Sequence, residues 1–288
     1  MTGARTGSSL VAAVAAVLCA CLLAACGGDD GASGPAASVR LPPVKAGEFG
    51  TRTARGANRW FPLKPGYQSV FLGAVNRGSR RLPHRRVYTI TDASKVIDGV
   101  RTVIALDQDF DGGQIAEQAL DYLAEDRKGN VWYLGSYTEA YEGGRFVNAN
   151  DGWLARVKGG QAGIFMPAKP QVGMAPYAQE HAPGDDPTIA RVVRSGVSKC
   201  APFKCYRNVL VIEEGGSENK YFAPGVGAIL TEPKSTSGEE ETEKLINRAR
   251  LRRQGVAELA AEALKLDHHA ATTVPAVFGP SKPAKRLR

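Results

Sequence analysis

Turn residues recur at short intervals along the middle of this chain, and the runs between them are rich in β-branched and aromatic residues. That rhythm restricts the fold more than any other feature. Tyr67–Val75 and Arg86–Thr91 are such runs, and Asn130–Tyr133 follows the turn Asp126-Arg127-Lys128-Gly129. Phe146–Val147, Trp153–Val157, Gly163–Met166, Thr188–Val193, Asn208–Ile212, Tyr221–Phe222 and Val226–Thr231 continue the series. Strands joined by short turns favour antiparallel pairing, because a parallel pair needs a long crossover, usually a helix. Val96-Ile97, then Asp98-Gly99, then Val100–Leu106 predicts a hairpin, since Asp-Gly tolerates the positive φ values of a type I′ turn. The expected fold class is mainly β: a single antiparallel, curved sheet domain with a C-terminal helix.

Two segments are double-valued. Gln114–Glu125 has the Ala, Leu, Glu and Gln content of a helix, yet Leu120, Tyr122 and Ala124 alternate with Ala119, Asp121 and Leu123 as a strand permits. Glu241–Leu251 is similar. Val256–Asp267 is a clearer helix, with Val256, Leu259, Ala260, Ala263 and Leu264 on one face. Such a stripe is usually core packing. Residues 271–288 hold three prolines and four basic residues and read as disordered.

The start of the chain carries an address. Arg5 is a short positive region, Leu10 to Leu22 are apolar, and the run ends at Leu23-Ala24-Ala25-Cys26 before Gly27-Gly28-Asp29-Asp30. The apolar run is short of the roughly 20 residues of a spanning helix and ends in a small-residue cleavage context. The arrangement resembles the lipobox of bacterial lipoproteins. The resemblance implies a signal peptide over residues 1–25 and a lipidated Cys26, carrying acyl chains such as palmitate. Two or more chains anchor stably at about 0.8 kcal/mol per buried methylene. The expected organisation is then a lipidated cysteine and flexible tether over 26–45, an antiparallel β domain over 46–252, an amphipathic helix over 253–269 and a disordered basic tail over 270–288. The expected location is the extracytoplasmic side of the cell membrane.

Four further segments resemble, as a set, a family of exported bacterial proteins of uncharacterised function. They are Asn58-Arg59-Trp60-Phe61-Pro62-Leu63-Lys64-Pro65-Gly66, Gly129-Asn130-Val131-Trp132-Tyr133-Leu134-Gly135, Gly163-Ile164-Phe165-Met166-Pro167 and Lys220-Tyr221-Phe222-Ala223-Pro224-Gly225-Val226-Gly227. The resemblance implies successive strands of one antiparallel sheet, with 114–125 among them. It brings no catalytic residues and no substrate.

The net charge of +8 is uneven. Residues 40–101 carry thirteen Lys/Arg against three Asp/Glu, residues 102–243 thirteen against twenty-one, and residues 244–288 ten against three. Basic segments beside a membrane attract anionic head groups; they are more often solvated faces. Export argues against nucleic acid as a partner. With Cys19 and Cys21 removed and Cys26 lipidated, Cys200 and Cys205 remain, an even pair that an oxidising compartment favours as a disulfide. The alternative, a redox dithiol, usually shows C-x-x-C spacing.

Chemistry is sparse. Asp107-Gln108-Asp109-Phe110-Asp111-Gly112 begins like a calcium loop, with Asp107, Asp109 and Asp111 as ligands. Its twelfth position is Gln118 instead of Glu, and the other reading is an acidic turn between strands. Calcium is the one cofactor the sequence suggests. Histidines are four. His268-His269 lies at a helix end, where histidine interacts favourably with free carbonyls. His84 and His181 are the two that an envelope hydrolase with a dispersed active site would need, but no nucleophile elbow, zinc motif or phosphate loop accompanies them. The favoured expectation is a non-enzymatic β domain that binds an envelope ligand or protein partner. An apolar ligand would find aromatic surface on Trp132, Tyr133, Tyr137, Tyr141, Trp153 and Phe165, of which Trp132, Tyr133 and Trp153 are the first candidates. The commoner use of such residues is to fill a core.

Overall fold

The computed structural model describes residues 39–149, 152–234 and 242–287; the expected signal peptide, Cys26 and most of the expected tether lie outside the described residues. Twelve long strands dominate: β1 (Tyr67–Arg77), β2 (Arg80–Ile90), β3 (Val103–Asp111), β4 (Gln114–Glu125), β5 (Val131–Glu142), β6 (Gln161–Met166), β7 (Tyr177–His181), β8 (Thr188–Ala201), β9 (Lys204–Glu214), β10 (Glu218–Ala223), β11 (Gly227–Pro233) and β12 (Thr242–Arg250). Each pairs antiparallel with the next, and β12 returns to β1 in the register Tyr67↔Arg250 to Ala74↔Thr242. The mainly β class holds, but the sheet is a closed twelve-stranded barrel in simple up-and-down order. Closure removes the exposed edges that a curved open sheet would leave.

Strand alternation sorts the side chains. On β3, Val103, Ala105 and Asp107 face inward, while Ile104 and Leu106 face outward. The apolar interior layer joins Val103, Leu123, Val131, Met166, Leu210, Ile212 and Phe222 to Leu63. Leu63 belongs to the segment before β1, which crosses this end of the barrel. Asn58 anchors that strap: its Nδ2 donates to the Gly129, Met166 and Pro167 carbonyls, and its backbone N–H donates to Glu125 Oε1 at 2.5 Å.

A second core lies outside the wall of β3–β5. Ile104, Leu106, Leu120, Tyr122, Leu134 and Tyr137 pack there with Ala260, Ala263, Leu266 and Ala270 of α1 (Arg253–Thr273) and with Val277 and Phe278 of α2 (Pro275–Phe278). This sandwiching explains Gln114–Glu125. Both faces of β4 find apolar partners, so tertiary burial overrides its helical propensity. Of Glu241–Leu251, the part Thr242–Arg250 likewise resolves as strand β12. The expected tail over 270–288 is corrected: α1 runs on to Thr273, Phe278 is buried, and Lys285–Arg286 pairs with Ala93–Ser94. Buried Asp267 holds the segment in place, bonding to Lys95 Nζ, Tyr122 Oη and the Ala284 N–H.

A third core includes Val209, Val211, Tyr221, Ile229 and Leu230. The irregular outer end of the β8–β9 hairpin reaches β12 here, where the Phe203 N–H donates to the Leu245 carbonyl. The Cys200–Cys205 disulfide clasps that hairpin between directly facing residues. The Asp98-Gly99 turn forms as expected, with φ of 47° and 75°, although its strands stop at Val96–Ile97 and Val100–Arg101 before the chain enters β3.

Candidate functional site: the charged chamber of the barrel

Beyond the apolar layer the barrel interior becomes polar. A cavity of about 330 Å³ opens there, with aromatic walls that include Phe61, Tyr67, Phe71, Tyr88, Tyr133 and Phe165, and with Arg86, Asp107, Asp121, Glu180, Glu214 and Lys220 among its charged groups. A second space of about 390 Å³ shares Tyr133, Ser136, Thr138 and Glu180 with the first. Its other lining residues include Trp153 and the exposed Pro183, Gly184 and Asp185, which give it an outlet to solvent.

The charges are arranged by the ladder. His84, Arg86 and Tyr88 alternate along β2, and across from them stand Asp111, Asp109 and Asp107 of β3. Arg86 grips Asp107 with Nε at 2.8 Å and Nη2 at 2.7 Å, and reaches Glu243 of β12 with Nη1 at 3.2 Å. Burial disfavours the guanidinium charge, but Asp107 and Glu243 outweigh that and raise its pKa. Glu243 is the converse: burial would raise its pKa, yet Arg86 and His84 bring it down to about 2. Lys220 lies 2.7 Å from Glu214 and 2.9 Å from Glu218, and these carboxylates overcome its burial to raise its pKa. Asp121 accepts hydrogen bonds from both Tyr88 Oη, at 3.0 Å, and Tyr133 Oη, at 2.6 Å. Burial first, then the nearby Asp107, lifts Asp121 to about 6 despite those bonds. Asp109 is lifted further, to about 9, by burial and then by Asp107.

His84 is fully buried as a side chain. Its Nδ1 is 2.8 Å from Asp111 Oδ1, and its Nε2 is 3.5 Å from Asp109 Oδ1 and 3.7 Å from Glu243 Oε1. Glu243 and His84 sit on β12 and β2, with β1 between them. They can approach because the residue facing both is Gly73. A Cβ at Gly73 would also fall 1.4 Å from the Thr242 carbonyl oxygen, so the close passage of β12 admits only glycine.

The residues singled out from sequence separate here. Asp107, Asp109 and Asp111 lie along strand β3 and its end instead of wrapping a calcium loop. Their alternation directs them to one face, where Asp107 is matched by Arg86, and Asp111 by His84 and Arg77. Tyr133 and Trp153 line the cavities and pack edge to face at 5.4 Å. Trp132 does not: it belongs to the outer core under α1, with Nε1 donating to Asp126. Tyr137 also faces outward, onto Phe278. His181 sits at an exposed contact with Gln161, and His269 pairs with Glu139 at 2.6 Å. His84 is ringed by carboxylates. The sequence reading overlooked Arg86, Asp121, Glu214, Lys220 and Glu243. The alternation His84, Arg86, Tyr88 was visible, but charged residues occupy both faces of β2, so nothing local marked which face was interior.

Comparison of the chain with protein-family models, with curated proteins and with solved structures returned no match, so the chamber is read from its own chemistry.

Proposed function

We propose that this protein is a non-enzymatic binding module, exported and held at the extracytoplasmic face of the cell membrane by lipid on Cys26, whose barrel receives a small, polar, donor-rich ligand. The carrying observation is the cavity itself. Barrel mouths are favoured ligand sites, and this one combines aromatic faces with an excess of carboxylates over cations. Glu180 lines both spaces, and its buried Oε2 has no hydrogen-bond partner. An unsatisfied buried acceptor costs about 1–3 kcal/mol, which a ligand N–H or O–H would recover. This chemistry favours an amine or a polyol over the apolar ligand expected from the aromatic content alone.

Anchoring by lipid is consistent with the outer surface. A barrel that crosses a membrane presents a continuous apolar band, whereas outward positions here include Arg81, Arg85, Glu213, Glu232 and Lys244. No described helix is long and apolar enough to cross a membrane.

Native mass spectrometry of the gently released protein tests the ligand. The expected result is an additional mass that denaturation removes and that Glu180→Gln weakens; a bare mass under all gentle conditions would point to a scaffold that docks proteins. Acyl mass on the peptide beginning at Cys26, lost in Cys26→Ser, tests the anchor. The alternative of an envelope hydrolase has less support, since His181 is half-buried against Gln161 and His84 faces carboxylates. Alanine at both histidines with no change in any detected activity would remove it.

A further inference from the structure

We propose that the barrel interior binds one divalent transition ion, with zinc the best fit, through His84 Nε2, Asp109 Oδ1 and Glu243 Oε1. The three ligand atoms lie within 4.8 Å of one another. Zinc bonds of about 2.0–2.1 Å in tetrahedral geometry place neighbouring ligand atoms about 3.4 Å apart. The observed separations from His84 Nε2 are 3.5 Å to Asp109 and 3.7 Å to Glu243. Three such ligands leave a fourth tetrahedral position for water or a ligand donor atom.

The surroundings supply the rest of a metal centre. A neutral imidazole that donates from Nδ1 to Asp111, 2.8 Å away, turns its Nε2 lone pair toward the other two carboxylates. A carboxylate behind a ligating histidine is the usual means of fixing the ring and raising its basicity. Asp111 is in turn held by Arg77 Nε at 2.8 Å. Glu243 is steadied through its other oxygen, Oε2, by Arg86 at 3.2 Å and Thr231 at 3.1 Å, so Oε1 is the oxygen nearest the ion. Arg86 Nη1 also lies 3.4 Å from Oε1, and its charge is largely engaged by Asp107.

Charge balance points the same way. The cluster sets the guanidinium groups of Arg77 and Arg86 against four carboxylates, Asp107, Asp109, Asp111 and Glu243, around buried His84. Asp109 Oδ1 is buried without a hydrogen-bond partner. A dication would offset the carboxylates and use the idle oxygen. The imidazole ligand favours zinc-class ions over calcium, which takes oxygen ligands in larger number. This inference stands independently of the polar-ligand reading, because it rests on the wall of the barrel and not on what fills the cavity.

The test is zinc titration of the full chain after chelator treatment, read by calorimetry and by the visible spectrum of the cobalt-substituted protein. One ion per chain is expected, with an intense tetrahedral cobalt band. Asp109→Asn should abolish both while leaving the fold intact, because the amide matches the carboxyl in size and Oδ1 has no hydrogen bond to lose; circular dichroism checks this. His84→Gln should also abolish binding. Asp111→Asn should weaken it about 10- to 100-fold without moving its stoichiometry. Alanine at His268 and His269 should change neither readout. Absence of stoichiometric uptake, or uptake that survives Asp109→Asn and disappears with His268 and His269, would overturn the proposal.

Discussion

Lys95 with Asp267, beneath the C-terminal helix, and the His84–Arg86–Asp109–Glu243 group, inside the barrel, are both buried ionic clusters, but they are finished differently. Asp267 is saturated: one oxygen takes Tyr122 and the other takes the Ala284 N–H, with Lys95 2.9 Å away. Lys95 also donates to the Lys282 carbonyl at 2.9 Å. Cation and carboxylate balance one to one. The interior group carries more carboxylates than cations and leaves Asp109 Oδ1 idle. The first arrangement fastens a segment. The second has room for a visitor, which is how a binding site differs from a structural pair with the same residue types.

The comparison breaks most directly at Lys95. Lys95→Ala leaves the Asp267 charge buried without its partner, which typically costs about 3–5 kcal/mol. Urea unfolding should show that loss, and removing both partners should cost less than the sum of the single changes. Zinc should produce the next largest effect, acting on the interior alone. At a hundredfold excess over its dissociation constant it should stabilise the wild type by about 2.7 kcal/mol, visible as a rise in Tm that Asp109→Asn eliminates. If Lys95→Ala protein still gains from zinc, the two clusters are separable.

A third effect concerns pH. Folded Asp121 titrates near 6, above its ordinary 3.8. Below 3.8 both folded and unfolded forms are neutral, and the carboxyl costs nothing extra. As pH rises through about 6, the folded state must accept a buried charge that the unfolded state already carries freely, so stability falls. Asp121→Asn should therefore match the wild type at pH 4 and exceed it at pH 8. A stability gap that is constant with pH would contradict this assignment. The smallest effect is expected for Asp109→Asn without metal, a change of less than about 1 kcal/mol, since an amide of similar size replaces a carboxyl whose Oδ1 has no hydrogen bond to lose. A large loss there would make Asp109 a structural anion like Asp267 and dissolve the contrast.

Much of the framework was legible in the sequence because strands and turns write local signals. Asp98-Gly99 announced its turn, and Cys200 with Cys205 announced their bridge. Closure was not legible, since the pairing of β12 with β1 depends on accumulated twist and strand tilt and leaves no mark on either strand. The ordered end of the chain was missed because its prolines and basic residues look like a tail. What orders it is Phe278 in the outer core and the remote Lys95 and Asp267. The chamber was half legible. Asp107, Asp109 and Asp111 stood out as a motif, but their partners come from β2 and β12, and the calcium pattern drew attention to spacing when strand alternation set their direction. Gly73 carried the quietest signal: an unremarkable glycine in an apolar run is what lets two non-adjacent strands share one site.

The seam between β1 and β12 gives the interior group a place in time. In an up-and-down barrel every other pairing joins neighbours and can form as the chain emerges, whereas the seam joins the two ends of the sheet and bears the largest loop-closure entropy. His84 and Asp109 stand on one side of that seam, and Glu243 stands on the other. The group is therefore assembled only when the last strand docks, so a chain that stalls before this step has the carboxylates and the imidazole but not the coordination sphere. Ion capture would then act as a latch on a finished cylinder, and its onset during refolding would date the moment the wall closes.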